Sequence, residues 1–338
     1  MRLRFPITFF GYLLTIAVCG VLLAEVSPLR KIGEVELPGP KGKRFDYLTI
    51  DPDDHFVIIA HMHADQTYFF DTRTNQVAAT ITDTPGVEGV EYVPDGRKVY
   101  TSNSGDNTIG VIDIVQRKVI KKLKTESKPD GSTYAAPFHK LYVSDERGKA
   151  LAIVDVRTDT IVKTMHFPSE TGMPQYDTLA RLVYVNLQDI DRFAVIDPQD
   201  DHIVAQYRVA GCHGNHGMAL APEQRRAFLV CEGNNLLAVF DLEKHVVTQT
   251  FSLPEGGDVV KVDAGRGRIF VACYSGSIAI FQSVGSGQYK KIADAPAEKR
   301  VHSLAVDPQS GYLYVPEEQE KGAPASKLVV HAVTGEVR

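Results

Sequence analysis

Two sets of short polar segments concentrate the residues of this chain that could do chemistry. One set precedes apolar runs and carries Arg44, Asp46, Glu88, Asp130, Cys212, His213, His216, Asp258, Arg300 and His302. The other set follows the next apolar run and carries His61, His63, Asp65, Asp145, Glu146, Asp189, Glu232, Asn234, Tyr274, Glu317 and Glu318. Imidazole with carboxylate is the donor set of zinc and other first-row ions, whereas carboxylate with an amide oxygen suits calcium. The sharpest metal set is His213, His216 and His302 with Asp46, Glu88 or Asp258. A plainer reading competes with it. His216 precedes Gly217 in a loop, where the pair can simply hold the backbone. His61 and His63 are two apart, so in a strand they point the same way. No H-E-x-x-H and no paired C-x-x-C fixes a metal by spacing alone.

Other chemistries find less support. No nucleophile elbow, Walker loop or dinucleotide fingerprint stands in a fitting context. The Gly-rich spots at Gly256-Gly257 and Gly285-Ser286-Gly287 read as turns. Of the four cysteines, Cys19 lies near the N-terminus, and Cys231 and Cys273 are 42 apart. Cys212 and Cys231 are within plausible reach of each other, and an oxidising compartment would allow them to bridge. Alternatively Cys212, Cys231 and Cys273 are all small core residues. The run Cys212–His216 lacks the second cysteine of a haem-attachment motif. A net charge of −5 supplies no basic field for nucleic acid.

These segments are spaced by a repeat. The phrases FFDTRTNQVAATI, VIDIVQRKVIKKL, IVDVRTDTIVKTM, VIDPQDDHIVAQY and VFDLEKHVVTQTF share one pattern, with aspartates at 71, 113, 155, 197 and 241. Two weaker copies carry Gln282 and His331 in that place, which makes seven units with a period near 42 residues. Each unit contains four short strands; in the second they fall at 90–93, 98–102, 108–112 and 118–123, with a Pro94-Asp95-Gly96 turn. Four strands per period of this length make a propeller blade. The chain therefore reads as all-β, a single seven-bladed β-propeller over residues 31–338. The seventh unit lacks a fourth strand, and the lone strand 31–37 is spare, so pairing the two closes the ring and hides two sheet edges. The repeated aspartate is assigned to turn hydrogen bonding.

Residues 1–24 read as a signal peptide or an N-terminal membrane anchor. Arg2 and Arg4 precede an uncharged apolar run from Ile7 to Ala24, between the usual lengths of the two classes. Either way the body is expected outside the cytoplasm, in the periplasm or otherwise exported, touching membrane only through residues 7–24 if these are retained.

Segments such as VPDGRKVYTSNSGDNTIGVIDI and FHKLYVSDERGKALAIVDVRTDTIVKTM resemble the YVTN-type propeller repeats of bacterial envelope proteins, over about Arg44 to Val333. The resemblance implies a seven-bladed ring, usually without an assigned activity; some relatives are termed lactonase-like by fold alone. Gln282, the Gly-Ser turn at 284–288 and an extra loop at 317–326 depart from the pattern. Three functional readings follow. The first is a non-catalytic envelope protein that binds a partner or small ligand on the loop face bearing Arg44, Asp46, His61, His63, Glu88, Asp130, His213, His216, Asp258, Arg300 and His302. The second is a metal-dependent hydrolase of lactone type, with zinc or calcium at the tunnel mouth. An electron-transfer accessory subunit is the third.

Overall fold

The computed structural model describes residues 27–334; the segment read as a signal peptide or anchor lies outside them. Among the described residues, twenty-eight strands form seven antiparallel sheets of four. In blade two the strands are Val87–Val93, Lys98–Asn103, Thr108–Asp113 and Lys118–Lys124, from the tunnel outward. The second and third strands are apolar on both faces because each blade packs against two neighbours. Every residue of Phe56–His61 in blade one is buried, whereas the outer strand Val246–Ser252 of blade five alternates between half-buried and exposed. Seven apolar cores result. The core between blades six and seven joins Phe270 and Ile280 to Leu313 and Val315, and the one between seven and one joins Tyr314 and Leu328 to Val57 and Phe70.

Blade seven closes the ring as its strand count requires. Its first three strands are Ala305–Val306, Leu313–Glu320 and Ala323–Val333, and its outermost strand is Leu29–Glu36 from the other end of the chain. Two boundaries differ from expectation. The closing strand runs over 29–36 rather than 31–37, because its eleven-residue partner extends far enough to pair Val333 with Leu29. The stretch 317–326 is not a loop: the hairpin ladder continues through Glu317 with Lys327 and Glu320 with Ala323. The Lys327 ammonium, 2.7 Å from Glu320, supports that extension.

The recurring aspartates do fold work. Asp71 accepts from the backbone N–H of Arg73 at 2.8 Å, Asp113 from Gln116 at 2.7 Å, Asp155 from Arg157 at 2.9 Å, Asp197 from Gln199 at 2.8 Å and Asp241 from Lys244 at 2.8 Å. Each stabilises the turn into the outer strand of its own blade. Gln282 in blade six instead donates to the carbonyls of Arg266 and Gly267.

Candidate functional site at the tunnel mouth

One repeat position supplies the centre of the site. Asp46, Glu88, Asp130, Gly172, His216, Asp258 and His302 are separated by steps of 42, 42, 42, 44, 42 and 44, one residue per blade. In blades two to six a break in the ladder between the first and second strands falls there, at Val87/Val90, Pro129/Ser132, Thr171/Pro174, Asn215/Met218 and Gly257/Val260. A bulge re-aims a side chain out of the regular ladder, and here it releases the ring residue toward the tunnel. Glycine follows at 89 and 217, because a Cβ at either would stand 2.1 Å from the carbonyl oxygen of Asp130 or Asp258 in the next blade.

Four of the lead-in loops are also tied to the blade before them. The left-handed turn residues Asp65, Asn107, Asp191 and Asn235 accept from the backbone N–H groups of Gly86, Lys128, Gly214 and Gly256 at 2.6, 2.9, 2.9 and 3.2 Å. Those N–H groups lie two residues before the ring, so the tie fixes where the ring residue starts. A second circle stands at the ends of the second strands: Met62, Ser104, Glu146, Gln188, Glu232, Tyr274 and Glu318, with the same steps.

The two circles interlock through a network of ionisable groups. His216 Nε2 is 3.2 Å from Asp130 Oδ2, and its Nδ1 is 3.1 Å from Asp258 Oδ1 and 3.3 Å from Glu232 Oε1. His302 Nδ1 is 3.2 Å from Asp258 Oδ2. Its Nε2 lies 2.6 Å from Arg44 Nη2 and 3.4 Å from Asp46 Oδ1. Lys128 pairs with Glu146 and lies 3.7 Å from Glu88. Asp46, Glu88, Asp130, His216 and His302 are all buried.

Burial and neighbours pull these groups apart in acidity. Burial opposes charge on His216, but its hydrogen bonds to Asp130 and Asp258 outweigh it and raise the imidazole's pKa well above the ordinary value. Burial likewise opposes ionisation of Asp258, and the charges of His302 and His216 overcome it, holding the carboxyl low. His302 is raised too: burial opposes its charge, and Asp258 and Asp46 prevail. Arg44 works the other way: its guanidinium lies 2.6 Å from Nε2, and its charge opposes protonation of the ring. Glu88 behaves oppositely. Burial, then Asp130 and Asp46, push its carboxyl up to about 9, and Glu232 is pushed up to about 7 chiefly by burial. The mouth thus offers ionised and protonated carboxyls side by side.

Among the described residues, four buried polar atoms of this network and its second circle have no hydrogen-bond partner: Arg44 Nε, the Tyr47 hydroxyl, Glu88 Oε1 and Glu318 Oε1. Burial, then the nearby charges of Asp130, Asp258, Asp46 and Glu232, raise the phenol's pKa. Outward, the network opens on a cleft of about 620 Å³ lined by Arg44, Glu232, Asp258, Tyr274 and His302.

The structure divides the residues picked from sequence. Arg44, Asp46, Glu88, Asp130, His216, Asp258 and His302 converge. His213 does not join them: it is exposed, and its Nδ1 is paired with Asp191 at 3.1 Å, which removes it from the His213–His216–His302 set. His61 turns inward, stacked on Phe45 with ring centroids 3.9 Å apart and bonded to the Tyr68 hydroxyl at 2.8 Å; burial lowers its pKa to about 4. His63 is exposed on the rim, and so is Arg300, which lies 3.5 Å from Glu318. Cys212 and Cys231 are joined as a disulfide, and Cys273 is a buried thiol whose pKa burial pushes up to about 12. Tyr47 and Lys128 were missed. Tyr47 is legible in retrospect, because its position holds glycine in blades two, three and five.

No family model matches this chain, and no curated protein matches its sequence. Solved structures do resemble it. A chain from the crystal structure of the mitotic checkpoint complex superposes with a TM-score of 0.77 at 12% identity, covering 97% of this chain and 99% of that one. The RRP9 WD40 repeats give 0.75 at 13%, with 88% and 96% covered. Virginiamycin B lyase from Staphylococcus aureus gives 0.72 at 13%, with 90% and 99% covered. At these identities the likeness establishes the seven-bladed propeller and nothing finer. The backbone is shared with WD40 propellers even though this chain has no tryptophan.

Proposed function

We propose that this chain is an exported ligand-binding propeller of the cell envelope, of the YVTN repeat type, that takes a polar small molecule or a protruding side chain at the tunnel mouth. Export rests on the basic start and apolar run of residues 1–24, and the repeat type on the phrases shared with that family. One observation carries the binding role. Six of seven blades place an ionisable side chain at the same repeat position, two of them, Asp258 and His302, line an open cleft, and the Glu88 Oε1 and Tyr47 hydroxyl of the same network lack a hydrogen-bond partner among the described residues. Buried unpartnered polar atoms cost stability, and sites that break packing rules in this way are typically functional. The WD40 propellers among the structural neighbours favour a binding role by analogy of fold. Native mass spectrometry after incubation with a periplasmic small-molecule extract tests it. A bound mass carried by the wild type and absent from Asp258→Asn supports the reading; identical spectra overturn it.

A second reading has its own observation. His216 Nδ1, Glu232 Oε1 and Asp258 Oδ1 lie within 4.8 Å of one another at the cleft wall. One imidazole and two carboxylates fit zinc or manganese better than calcium. His216 would give up its proton to hold such an ion, which would polarise a carbonyl or activate water. That a structural neighbour is named a virginiamycin B lyase is consistent with such chemistry on this fold. Stoichiometric metal in protein purified without chelator, lost in Glu232→Gln, separates this reading from the first.

A further inference from the structure

Deeper in the tunnel lies a second, smaller chamber of about 170 Å³, lined by Thr49, Glu91, Thr133, Gln175 and Lys261, with Tyr47 and Met173 in its wall. The five polar residues again share one repeat position, three beyond the mouth ring, at 49, 91, 133, 175 and 261. Glu91 comes from blade two and Lys261 from blade six of seven, so their side chains enter from well-separated walls. They do not close on each other: no ion pair forms between them within 4.0 Å. Glu91 Oε1 accepts only the Tyr134 N–H, at 3.1 Å, and the Lys261 ammonium makes no hydrogen bond to the protein among the described residues. Thr133 Oγ1 accepts from the Tyr176 N–H at 3.1 Å and can still donate. Gln175 Nε2 donates to the Pro174 carbonyl at 2.9 Å, which leaves its Oε1 as an acceptor.

Two opposite charges facing one confined space without touching are costly, since each gives up hydration and gains little from the other. The acidities register this. Burial pushes Glu91 up to about 7 and Lys261 down, the attraction between them only partly opposing the shift. A molecule with an ammonium at one end and a carboxylate at the other would satisfy both walls at once. At roughly 30 Å³ per water the chamber holds the equivalent of about six waters, which suits a ligand of about six or seven heavy atoms.

We infer that this lower chamber binds a small zwitterion, an amino acid in the chemical sense, with its ammonium on Glu91 and its carboxylate on Lys261. The chamber shares Tyr47 with the mouth but none of the mouth's charged groups. Its test is calorimetric titration of the full-length protein with glycine, β-alanine and 4-aminobutyrate, using acetate and methylammonium as half-ligands. One of the three zwitterions binds at one per chain, and both half-ligands bind at least tenfold more weakly. Glu91→Gln and Lys261→Met each weaken binding at least tenfold. Should either fail to fold, the E91Q/K261M double variant removes both buried charges together, leaves neither alone, and must be folded and silent. Absence of zwitterion binding to the wild type overturns the proposal. So does acetate binding as tightly as the best zwitterion, which would make this an anion site, and so does undiminished binding by the double variant.

Discussion

His216 and His302 hold the two oxygens of a single carboxylate: Asp258 Oδ1 is 3.1 Å from His216 Nδ1, and Oδ2 is 3.2 Å from His302 Nδ1. Blades five and seven are thereby joined through blade six at the tunnel mouth. Asp258→Asn keeps the shape and removes the charge that raises both imidazoles. Both histidine pKa values fall, which histidine-resolved NMR titration reads directly. Breaking a buried charge network of this kind costs about 3–5 kcal/mol; partial hydration from the cleft places the expected loss at the lower end. Unchanged titration of either ring would show that Asp258 does not join them.

Glu88 makes stability depend on pH in a definite direction. Its folded pKa of about 9 stands above the ordinary 4.5, so the folded state keeps a proton that the unfolded chain gives up. The unfolded state binds fewer protons between those limits, and stability must fall as pH rises from about 4.5 to 9. Glu88→Gln abolishes that component. In urea titrations the variant should gain on the wild type across this window, by on the order of a few kcal/mol in all. Parallel stability curves for the two proteins would contradict the assignment.

His61 works in the opposite sense at lower pH. Burial holds its folded pKa at about 4 against an ordinary 6.5. The unfolded chain therefore binds more protons in that interval, and the stability His61 contributes is complete above pH 6.5 and lost as pH falls toward 4. His61→Phe, which can keep the stack on Phe45 but loses the Tyr68 hydrogen bond, should be less stable at pH 7.5 and show a shallower acid decline. Melting curves at pH 4.5 and 7.5 check both statements.

The Cys212–Cys231 bridge closes a short loop, with a sequence separation of 19. The chain-entropy relation gives about 3 kcal/mol for a loop of this size. Reduction, or Cys231→Ala, should lower the denaturation midpoint accordingly. Cys273→Ala, which touches no bridge, costs only the packing of one buried thiol. Equal melting of oxidised and reduced protein would show that the bridge does not constrain the unfolded chain.

How much of this was legible in advance follows from what repeats. The aspartates at 71, 113, 155, 197 and 241 act within their own blades, so local spacing was enough to place strands, turns and the missing fourth strand. The long hairpin at 317–326 was misread because cross-strand pairs such as Lys327 with Glu320 have no signature along the chain. The mouth was half-visible. Lead-in loops named its residues, but only the regular steps from Asp46 to His302 distinguish ring members from neighbours such as His213. Only Gly214 and Asn215 stand between His213 and His216, yet one histidine points outward to Asp191 and the other into the tunnel. Tyr47 was invisible for a different reason: an aromatic residue beside a strand reads as core until its hydroxyl is found among carboxylates.

The central claim is that the mouth network exists to engage a ligand. The most direct measurement is a thermal-shift panel of polar small molecules, run in parallel on the wild type, Asp258→Asn and Lys261→Met. At least one compound should raise the melting temperature of the wild type and of Lys261→Met while leaving Asp258→Asn unmoved. A panel in which no compound discriminates Asp258→Asn from the wild type would contradict it, and would return Asp258 and its two histidines to the upkeep of the fold.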